Sequence, residues 1–394
     1  MIKYAQQYLR SAVAVIAQYD GVLPLSAFLK QYFKANPKFG SKDRKNISHL
    51  CYTFFRAGNG VNTSSVEEKI KASVFICETN ADDWGLLVDE QWRNNWNADI
   101  EAKWRFVASV FPGSDPANLF PWNQELSSGI DAVPFAVSHL VQPDLFLRIR
   151  PERSRKVFEK LSAAKIPFRQ VSGNCLALPN ASKIDEVLNI DTEVVIQDLS
   201  SQRVGDVLKL CIDDSKLTKT VWDCCAASGG KSILAFDLIK NIQLTVSDVR
   251  ASILRNLQDR FERAGIKNYH SFVADLAGEL KVPPTSYRIV ICDAPCSGSG
   301  TWGRTPEQLH FFTKDKIDSY SALQKKITTN VIPYIEENGY FLYITCSVFK
   351  KENEEIVSHL LESKKLELVR SELLKGYEEK ADSMFVALFR RSNA

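Results

Sequence analysis

The chain has 394 residues, of which 45% are hydrophobic and 25% are charged, and its formal net charge is +3. This composition is typical of soluble globular proteins and excludes disordered, collagenous and fibrous classes. The length allows two or three domains that each bury a core. No uncharged apolar segment reaches the ~18 residues of a membrane helix, and the N-terminus lacks a signal-peptide pattern, so we expect a cytoplasmic protein without membrane contact.

The nine cysteines fit neither a disulfide framework nor a zinc site. Their number is odd, no secretion signal accompanies them, and no CxxC or Cys/His cluster has the spacing of zinc ligands. We therefore expect no bound metal and mostly small, buried cysteine side chains. Four of the last five cysteines nevertheless lie in motifs that contain glycine or proline, which suggests a nucleophile among them.

Residues 1–130 are predicted to be helical, because their apolar residues recur at helical spacing. Segment 30–56 carries seven basic residues against one acid, and segment 148–169 carries eight against two. Basic segments interleaved with aromatic residues are typical of surfaces that bind a phosphate backbone, although a solvated helix face is an equally weighted alternative. A stretch rich in Ser, Gly and Asn at 121–134 marks the first predicted domain boundary.

The rest of the chain divides into two parts by its pattern of strands and helices. Residues 131–195 indicate a small α+β unit, with a strand at 144–149. From residue 196 onward strands and helices alternate, which predicts a doubly wound, mostly parallel sheet. The predicted strands are 219–224, 243–248, 270–274, 288–293, 340–345, 366–370 and 384–390. Ligands of such sheets bind beyond the carboxyl ends of the strands, so the residues that end each strand are the candidate site.

The ends of the first three strands predict a nucleoside-containing ligand. The loop 223–232 is rich in small residues and precedes a helix, where free N–H groups can meet a polar ligand. Cys225 stands where a P-loop needs glycine, and GxGxxG is absent, so nucleoside triphosphate and NAD sites are disfavoured. Asp248 ends the second strand, where an acid can bond two ribose hydroxyls, with a helix N-cap as the alternative. Asp275 ends the third strand and could bond an adenine amino group.

The next two strands each end in a cysteine motif. The fourth is followed by Asp293-Ala294-Pro295-Cys296-Ser297, and the fifth ends in Thr345-Cys346-Ser347. Cysteines at the ends of adjacent strands project over the same crevice. A single strand-end cysteine is more often structural, whereas a pair in these two motifs favours chemistry.

These motifs resemble those of the RsmB/Sun family of S-adenosylmethionine-dependent RNA cytosine-C5 methyltransferases, which use paired Pro-Cys and Thr-Cys motifs. Segments 195–202, 225–231 and 304–307 also resemble family elements, and residues 40–56 resemble the NusB-like RNA-binding domain of RsmB-type members. The resemblance implies an α/β fold of three domains. They are an all-α NusB-like domain at 1–130, a small α+β, RRM-like subdomain at 131–195 and a Rossmann-like class I methyltransferase domain at 196–394.

The resemblance further implies a monomer that methylates C5 of a cytosine in RNA, small-subunit (16S) rRNA in the first place, with S-adenosylmethionine as cofactor. Cys346 would be the nucleophile that adds to C6, Cys296 would help to remove the C5 proton, and Asp293 would bond the cytosine edge. The implied cofactor residues are Cys225, Ala226, Ala227, Ser228, Gly229, Gly230, Lys231, Asp248, Asp275 and Asp293. The implied RNA-binding residues are Lys42, Arg44, Arg148, Arg150 and Arg304.

Three positions depart from the family pattern. Ser228 replaces a usual proline, which predicts a looser cofactor loop. Arg150 replaces a usual asparagine, so the RNA contact made at this position would differ. Residues 382–385 replace a usual Gly-Phe pair. Three alternatives remain open. They are a tRNA substrate, a non-catalytic RNA-binding assembly factor, and a methyltransferase for an exocyclic amine. The last is disfavoured because strand four lacks an Asn/Asp-Pro-Pro-Tyr/Phe motif.

Overall fold

The computed structural model describes residues 2–212, 217–278 and 285–392. Within them the chain forms two compact units, and each is interrupted in sequence. The first unit comprises Met1–Leu126, Ile130–Gln142 and Thr301–Thr313, and the second comprises Ser127–Gly129, Pro143–Gly300 and Lys314–Ala394. None of the helices in the described ranges has the length and apolar character needed to cross a bilayer.

The described residues contain fourteen α-helices and eleven β-strands. The helices are α1 (Ala5–Ile16), α2 (Leu25–Ala35), α3 (Ser41–Ala57), α4 (Val66–Cys77), α5 (Glu90–Asn94), α6 (Ile100–Val110), α7 (Ala132–Ser138), α8 (Ser154–Ala163), α9 (Leu199–Leu208), α10 (Gly230–Leu238), α11 (Ala251–Ala264), α12 (Gln308–Phe311), α13 (Asp315–Val331) and α14 (Glu354–Glu362). The strands are β1 (Leu145–Ile149), β2 (Arg169–Ser172), β3 (Cys175–Leu178), β4 (Val194–Ile196), β5 (Lys219–Asp223), β6 (Ile242–Asp248), β7 (Tyr269–Val273), β8 (Tyr287–Asp293), β9 (Ile335–Thr345), β10 (Leu366–Leu374) and β11 (Met384–Arg391).

The first unit is helical throughout its described elements, as the apolar spacing predicts. Along α1 the buried residues recur every three or four positions, which gives the helix one apolar face. Segment 301–313 belongs to this unit although it follows the Pro-Cys motif in sequence. The Glu307 carboxyl accepts a 3.0 Å hydrogen bond from the backbone of Leu25, and the Asn59 amide donates to the carbonyl of Leu309. The NusB-like assignment and the three-domain division stay predictions.

The second unit contains a small antiparallel sheet in the order β2-β3-β1-β4. Helix α8 connects β1 to β2 and packs on the sheet through Val157 and Leu161, which are fully buried beside Leu147 and Leu176. The observed strand β1 and helix α8 agree with the predicted α+β character of this region. Its RRM-like assignment stays a prediction.

The main sheet of the second unit has seven strands in the order β10-β11-β9-β8-β5-β6-β7. Neighbours from β9 through β7 in this order pair in parallel, whereas β11 pairs antiparallel with β9 and β10. Both faces are buried, since Val221 and Ile289 lie in one apolar cluster while Trp222 and Val290 lie in another. Because both faces are buried, the central strands have apolar residues at successive positions rather than at alternate ones. The predicted Rossmann-like α/β core is confirmed.

This strand order determines where a ligand can bind. Strand β5 lies between β6 and β8, so the chain leaves β5 in one direction toward β6 and β7 and later returns to its other side with β8 and β9. Such a reversal opens a crevice at the carboxyl ends of the strands. The loop after β5 and the cysteine motifs after β8 and β9 lie at that edge.

Candidate active site

A cavity of about 440 Å³ lies at the carboxyl ends of β5, β6, β7 and β8, and α13 closes one side of it. This volume is within the range of small-molecule and cofactor sites. Six predicted site residues line the cavity, contributed by four strand ends. They are Cys225, Ala227, Asp248, Asp275, Asp293 and Cys296. The structure therefore brings these six residues together, whereas Cys346 is not among the residues that line the cavity.

The loop between β5 and α10 takes a conformation that few residues other than glycine adopt. Ala227 and Gly229 have φ values of +46° and +85°. At Gly229 a Cβ atom would lie 2.7 Å from the ring of Phe261, so both its backbone angles and its surroundings require glycine. The N–H of Ala226 donates to the carbonyl of Ser247, which fixes the start of the loop to β6.

Ser228, where the family usually has proline, is held by a guanidinium group. Arg260 Nη1 donates to the carbonyl oxygen of Ser228 at 3.0 Å and to its hydroxyl at 3.1 Å. Arg260 is itself paired with the buried Asp191 at 2.8 Å. The loosening that the sequence predicts at Ser228 is therefore opposed by contacts from α11.

Asp248 connects the end of β6 to the loop after β5. Its carboxylate accepts the N–H of Ala227 and the N–H of Arg250, each at 3.0 Å, and Arg250 Nε at 3.1 Å. The N-cap of α11 is Arg250, so Asp248 lies just before the helix and faces the cavity. Asp275 is exposed and accepts the N–H of Ala277, also at 3.0 Å. Both carboxylates keep lone pairs that a ligand hydroxyl or amino group can use.

Lys231 and Asp293 form an ion pair between α10 and β8, in which Lys231 is buried and Asp293 is partly exposed. Lys231 Nζ lies 3.0 Å from Asp293 Oδ2 and 2.8 Å from the hydroxyl of Ser201 on α9. Burial alone would lower the pKa of Lys231, but Asp293 and Cys346 outweigh it and the net pKa is raised. The ammonium group therefore stays charged beside both the predicted substrate-binding acid and the predicted nucleophile.

Cys296 and Cys346 interact directly. Strands β8 and β9 are parallel neighbours with Asp293 opposite Ile344, so the two motifs emerge side by side. A hydrogen bond with Cys346 is the main cause that raises the pKa of Cys296 well above its ordinary value, and burial adds to it. Cys296 is therefore a thiol that donates to the sulfur of Cys346.

Gly300 fixes the Cys346 loop through backbone contacts. Its N–H donates to the carbonyl of Cys346 at 2.9 Å, and its own carbonyl accepts the N–H of Ser383 at 2.8 Å. A Cβ at this position would lie 2.0 Å from the Ser383 carbonyl oxygen, so only glycine permits the approach. Ser383 belongs to the segment that departs from the family's usual Gly-Phe pair.

Glu352 is a site residue that sequence reasoning missed. It is fully buried, and its carboxyl oxygens accept hydrogen bonds from the Ser347 hydroxyl at 2.7 Å, the Ser297 N–H at 2.9 Å and the Gln324 amide at 3.0 Å. Burial raises its pKa, while the bonds from Ser297 and Ser347 oppose that shift. In sequence Glu352 lies among lysines and glutamates, a pattern typical of a solvated surface, so no local signal marks it.

Asp223 ends β5 beneath the cofactor loop and is fully buried. One carboxyl oxygen accepts a 2.6 Å hydrogen bond from the Ser232 hydroxyl, whereas the other has no hydrogen-bond partner among the described residues. Burial raises the pKa of Asp223 to about 7. Much of this carboxyl group is therefore protonated at neutral pH.

Two of the predicted RNA-binding arginines lie inside the second unit. Arg148 is 2% exposed, and its guanidinium group pairs with Asp237 away from solvent. Arg150 pairs with the same carboxylate at 2.7 Å and donates to the carbonyls of Asp191 and Ala264. Arg148 on β1 and Arg150 just after it are thus both held by Asp237 on α10, and Arg150 also contacts the end of α11. Arg148 therefore exposes no group that could contact RNA.

The other three predicted RNA-binding residues belong to the first unit. Lys42 and Arg44 are exposed at the start of α3, while Arg304 is partly buried. Four further lysines of the predicted basic segment are also exposed, namely Lys30, Lys34, Lys38 and Lys45. Arg56 is an exception, because it is buried and donates to the carbonyls of His139 and Gly303.

The chain is similar to known proteins over part of its length. Residues 211–390 match the family model described as 16S rRNA methyltransferase RsmB/F. The chain is 32% identical over 226 residues to the probable ribosomal RNA small subunit methyltransferase B of Bacillus subtilis, which covers 56% of this chain and 49% of that protein. It is 30% identical over 165 residues to the 26S rRNA (cytosine-C(5))-methyltransferase nsun-1 of Caenorhabditis elegans, covering 40% of this chain and 24% of that one.

A solved structure shares the fold over nearly the whole chain. The crystal structure of PH0851 superposes with a TM-score of 0.70 at 18% identity and covers 98% of both chains. The curated relatives are matched over about half of their length or less. The resemblance seen in the sequence motifs is confirmed by the family model and by the relatives. Residues 211–390 of this chain are therefore similar to the rRNA methyltransferases of the RsmB/F family.

Proposed function

We propose that this protein transfers a methyl group from S-adenosylmethionine to C5 of a cytosine in ribosomal RNA, through a covalent adduct between Cys346 and C6. The observation that carries the proposal is that Cys296, which lines the cavity, interacts with Cys346 at the ends of two neighbouring parallel strands. The relative from Bacillus subtilis is named for small-subunit rRNA, and the nematode relative for cytosine C5 of 26S rRNA. Small-subunit rRNA is the substrate we favour.

The cavity suits a nucleoside cofactor with a small polar tail. Asp248 can accept hydrogen bonds from ribose hydroxyls, and Asp275 lies where an adenine amino group could donate. The loop 226–230 passes close to the cavity without side chains larger than Ser, so a ligand can approach its backbone. When bound, S-adenosylmethionine supplies the methyl group from a sulfonium centre.

Covalent addition makes C5 reactive. After its proton has left to solvent, the Cys346 sulfur forms a bond to C6, and the electron pair of the C5–C6 double bond moves so that C5 can attack the methyl group. The bond from that methyl group to the sulfonium sulfur would break, with its electron pair kept by the sulfur. Asp293, held by Lys231, accepts a hydrogen bond from the cytosine N3/N4 edge in the adduct. After transfer the C5 proton leaves to a base, the double bond returns and the S–C6 bond breaks.

The structure suggests how Cys296 becomes that base. In the free protein its pKa is raised chiefly by the hydrogen bond it donates to Cys346. Once the Cys346 sulfur is bonded to carbon, it is a much poorer acceptor, so this restraint on the Cys296 proton is removed. Cys296 can then release its proton to solvent, and the resulting thiolate takes the proton from C5.

RNA binding in this proposal relies on the first unit. Its exposed cations on and between α2 and α3, which include Lys42 and Arg44, supply positive charge for phosphates. The target base must leave its stack to reach two cysteines, which favours a single-stranded or loop site.

Methyl transfer can be tested with purified protein, methyl-labelled S-adenosylmethionine and separate pools of rRNA and tRNA. We expect label in small-subunit rRNA and a 5-methylcytosine that bisulfite sequencing locates at one position. Label confined to tRNA would redirect the substrate assignment. Absence of S-adenosylmethionine binding in calorimetry would contradict the enzyme and favour an assembly factor.

A further inference from the structure

Three cysteines outside the proposed mechanism lie together beneath the cofactor loop. Cys224 and Cys225 follow β5, and Cys292 lies near the end of β8. Because Asp223 pairs with Ile291, the next residues along the two strands, Cys224 and Cys292, are also neighbours. The three sulfur atoms lie within 4.8 Å of one another. Spacing in the sequence gave no sign of the cluster, since the third cysteine comes from another strand.

The three sulfur atoms are spaced nearly as three ligands are around a bound soft metal ion. With a metal–sulfur distance of ~2.3 Å, three ligands in a trigonal plane lie about 4.0 Å apart, so small side-chain movements would complete the site. Among the described residues no His, Asp or Glu joins these three as a fourth donor. Zinc takes four ligands in structural sites, whereas Cu(I) prefers thiolates and accepts three.

The surroundings favour a soft, weakly hydrated ion over a hard one. Cys224 and Cys292 are 1% and 0% exposed, and they pack in the apolar cluster that contains Trp222 and Tyr343. Cys225 is only partly buried, and Cys224 and Cys225 both line the 440 Å³ cavity. An ion can therefore reach the sulfurs through the cavity, while the oxygen ligands that Mg²⁺ or Ca²⁺ need are missing from the cluster.

We propose that Cys224, Cys225 and Cys292 form a binding site for one Cu(I) ion. On binding, the thiols release their protons to solvent and the resulting thiolates form metal–sulfur bonds. No change of oxidation state is required. The site lies directly behind the loop that forms the cofactor cavity, and it uses none of the groups to which we assign a catalytic step.

The test uses a protein in which the other neighbouring thiol pair is removed by Cys296→Ser and Cys346→Ser. Cu(I) is titrated into this background against a chromogenic Cu(I) chelator. We expect one equivalent to bind. Adding Cys292→Ser should weaken binding by more than ~100-fold, because even outer-shell partners of metal ligands are worth about 10–100-fold. The matched control is Cys211→Ser, a buried cysteine of the same unit outside the cluster, which should leave Cu(I) affinity unchanged.

A second measurement guards against misfolding of the variants. In the protein that carries only Cys296→Ser and Cys346→Ser, and so keeps all three cysteines of the cluster, one equivalent of Cu(I) should protect Cys225 from alkylation, as read by peptide mass spectrometry. Equal Cu(I) affinity with and without Cys292→Ser, or no protection of Cys225, would overturn the proposal. A mass lower by two hydrogens with linked peptides from two of the three cysteines would identify a disulfide and overturn it as well.

Discussion

The carboxyl group of Glu352 accepts a 2.7 Å hydrogen bond from the hydroxyl of Ser347, the residue that follows Cys346. Its other oxygen accepts the N–H of Ser297, the residue that follows Cys296, at 2.9 Å. One buried acid thus joins the two cysteine motifs, each through the residue next to its cysteine. We infer that Glu352 is a positioning residue, which sets the relative placement of the two sulfur atoms without touching the substrate.

Removal of this acid should slow methyl transfer without affecting the cofactor. We expect Glu352→Ala to lower kcat about 100-fold, since displacement of a reacting group by ~1 Å can cost that much. Glu352 is not among the residues that line the cavity, so S-adenosylmethionine affinity should stay within about twofold. Glu352→Gln keeps one acceptor oxygen and should recover part of the rate. Steady-state kinetics and calorimetry give the two quantities.

The control for this prediction is Glu355→Gln, which changes an acid three residues later on α14. It should leave kcat unchanged. Equal losses of kcat and of cofactor affinity in Glu352→Ala would indicate general unfolding of the site and contradict the positioning role.

The two cysteines should differ in what their removal leaves behind. Without Cys296 the adduct between Cys346 and C6 can form, but its C5 proton has no base. We therefore expect Cys296→Ala, given RNA and S-adenosylmethionine, to accumulate a protein–RNA species that survives a denaturing gel. Cys346→Ala should give neither this species nor methylated RNA. Turnover by Cys346→Ala would show that the nucleophile is a different group.

Sequence reasoning located this site because its chemistry lies at strand ends. The alternation of strands and helices predicts the sheet, and a parallel sheet brings its carboxyl ends to one edge, so Asp248, Asp293 and Cys296 could be grouped without coordinates. Glu352 and Arg260 could not be found in this way. The partners of Arg260 lie 32 and 69 residues away, and those of Glu352 include Ser297, which is 55 residues away. The sequence neighbours of Glu352 and Arg260 are largely charged.

The same limit explains the arginines of β1. A run of basic residues at 148–169 indicates a phosphate-binding face, but it does not reveal which side chains point inward. Asp237 lies 89 residues from Arg148 and 87 residues from Arg150 in sequence, and it belongs to no motif. Tertiary packing decides which charged side chains are buried in ion pairs. The pattern of charges in the sequence therefore does not reveal which of these basic residues are exposed.

Asp248 should govern cofactor affinity. Its carboxylate holds the N–H of Ala227, and it is the predicted partner of the ribose hydroxyls. A hydrogen bond to a charged group contributes about 1.5–3 kcal/mol, so we expect Asp248→Ala to weaken S-adenosylmethionine binding roughly 10- to 100-fold in calorimetry. Asp259→Asn, at an exposed position of α11, is the control and should bind normally. Unchanged affinity in Asp248→Ala would place the ribose elsewhere.

Asp223 should make the stability of the second unit depend on pH in an unusual direction. Its pKa is about 7 in the folded state and ~3.9 when unfolded, so between these values the folded protein holds a proton that the unfolded chain does not. The contribution of Asp223 to the free energy of unfolding is therefore fully present below pH ~4 and is lost as pH rises through 7. Most surface carboxylates whose pKa is depressed have the opposite effect.

Replacement of Asp223 by Asn should remove this dependence. The amide oxygen can still accept the hydrogen bond from Ser232, but the side chain never ionises. The quantity to follow is the free energy of unfolding of Asp223→Asn minus that of the unsubstituted protein. We expect this difference to rise from pH 4 to pH 7 and then to level off. The total rise should be about 4 kcal/mol, since each unit of pKa shift corresponds to ~1.4 kcal/mol. Urea unfolding at several pH values measures this difference, and groups common to both proteins cancel in it. The control is Asp185→Asn at an exposed position, for which this difference should not change with pH. If the difference for Asp223→Asn also did not change with pH, Asp223 would be ionised in the folded protein throughout this range.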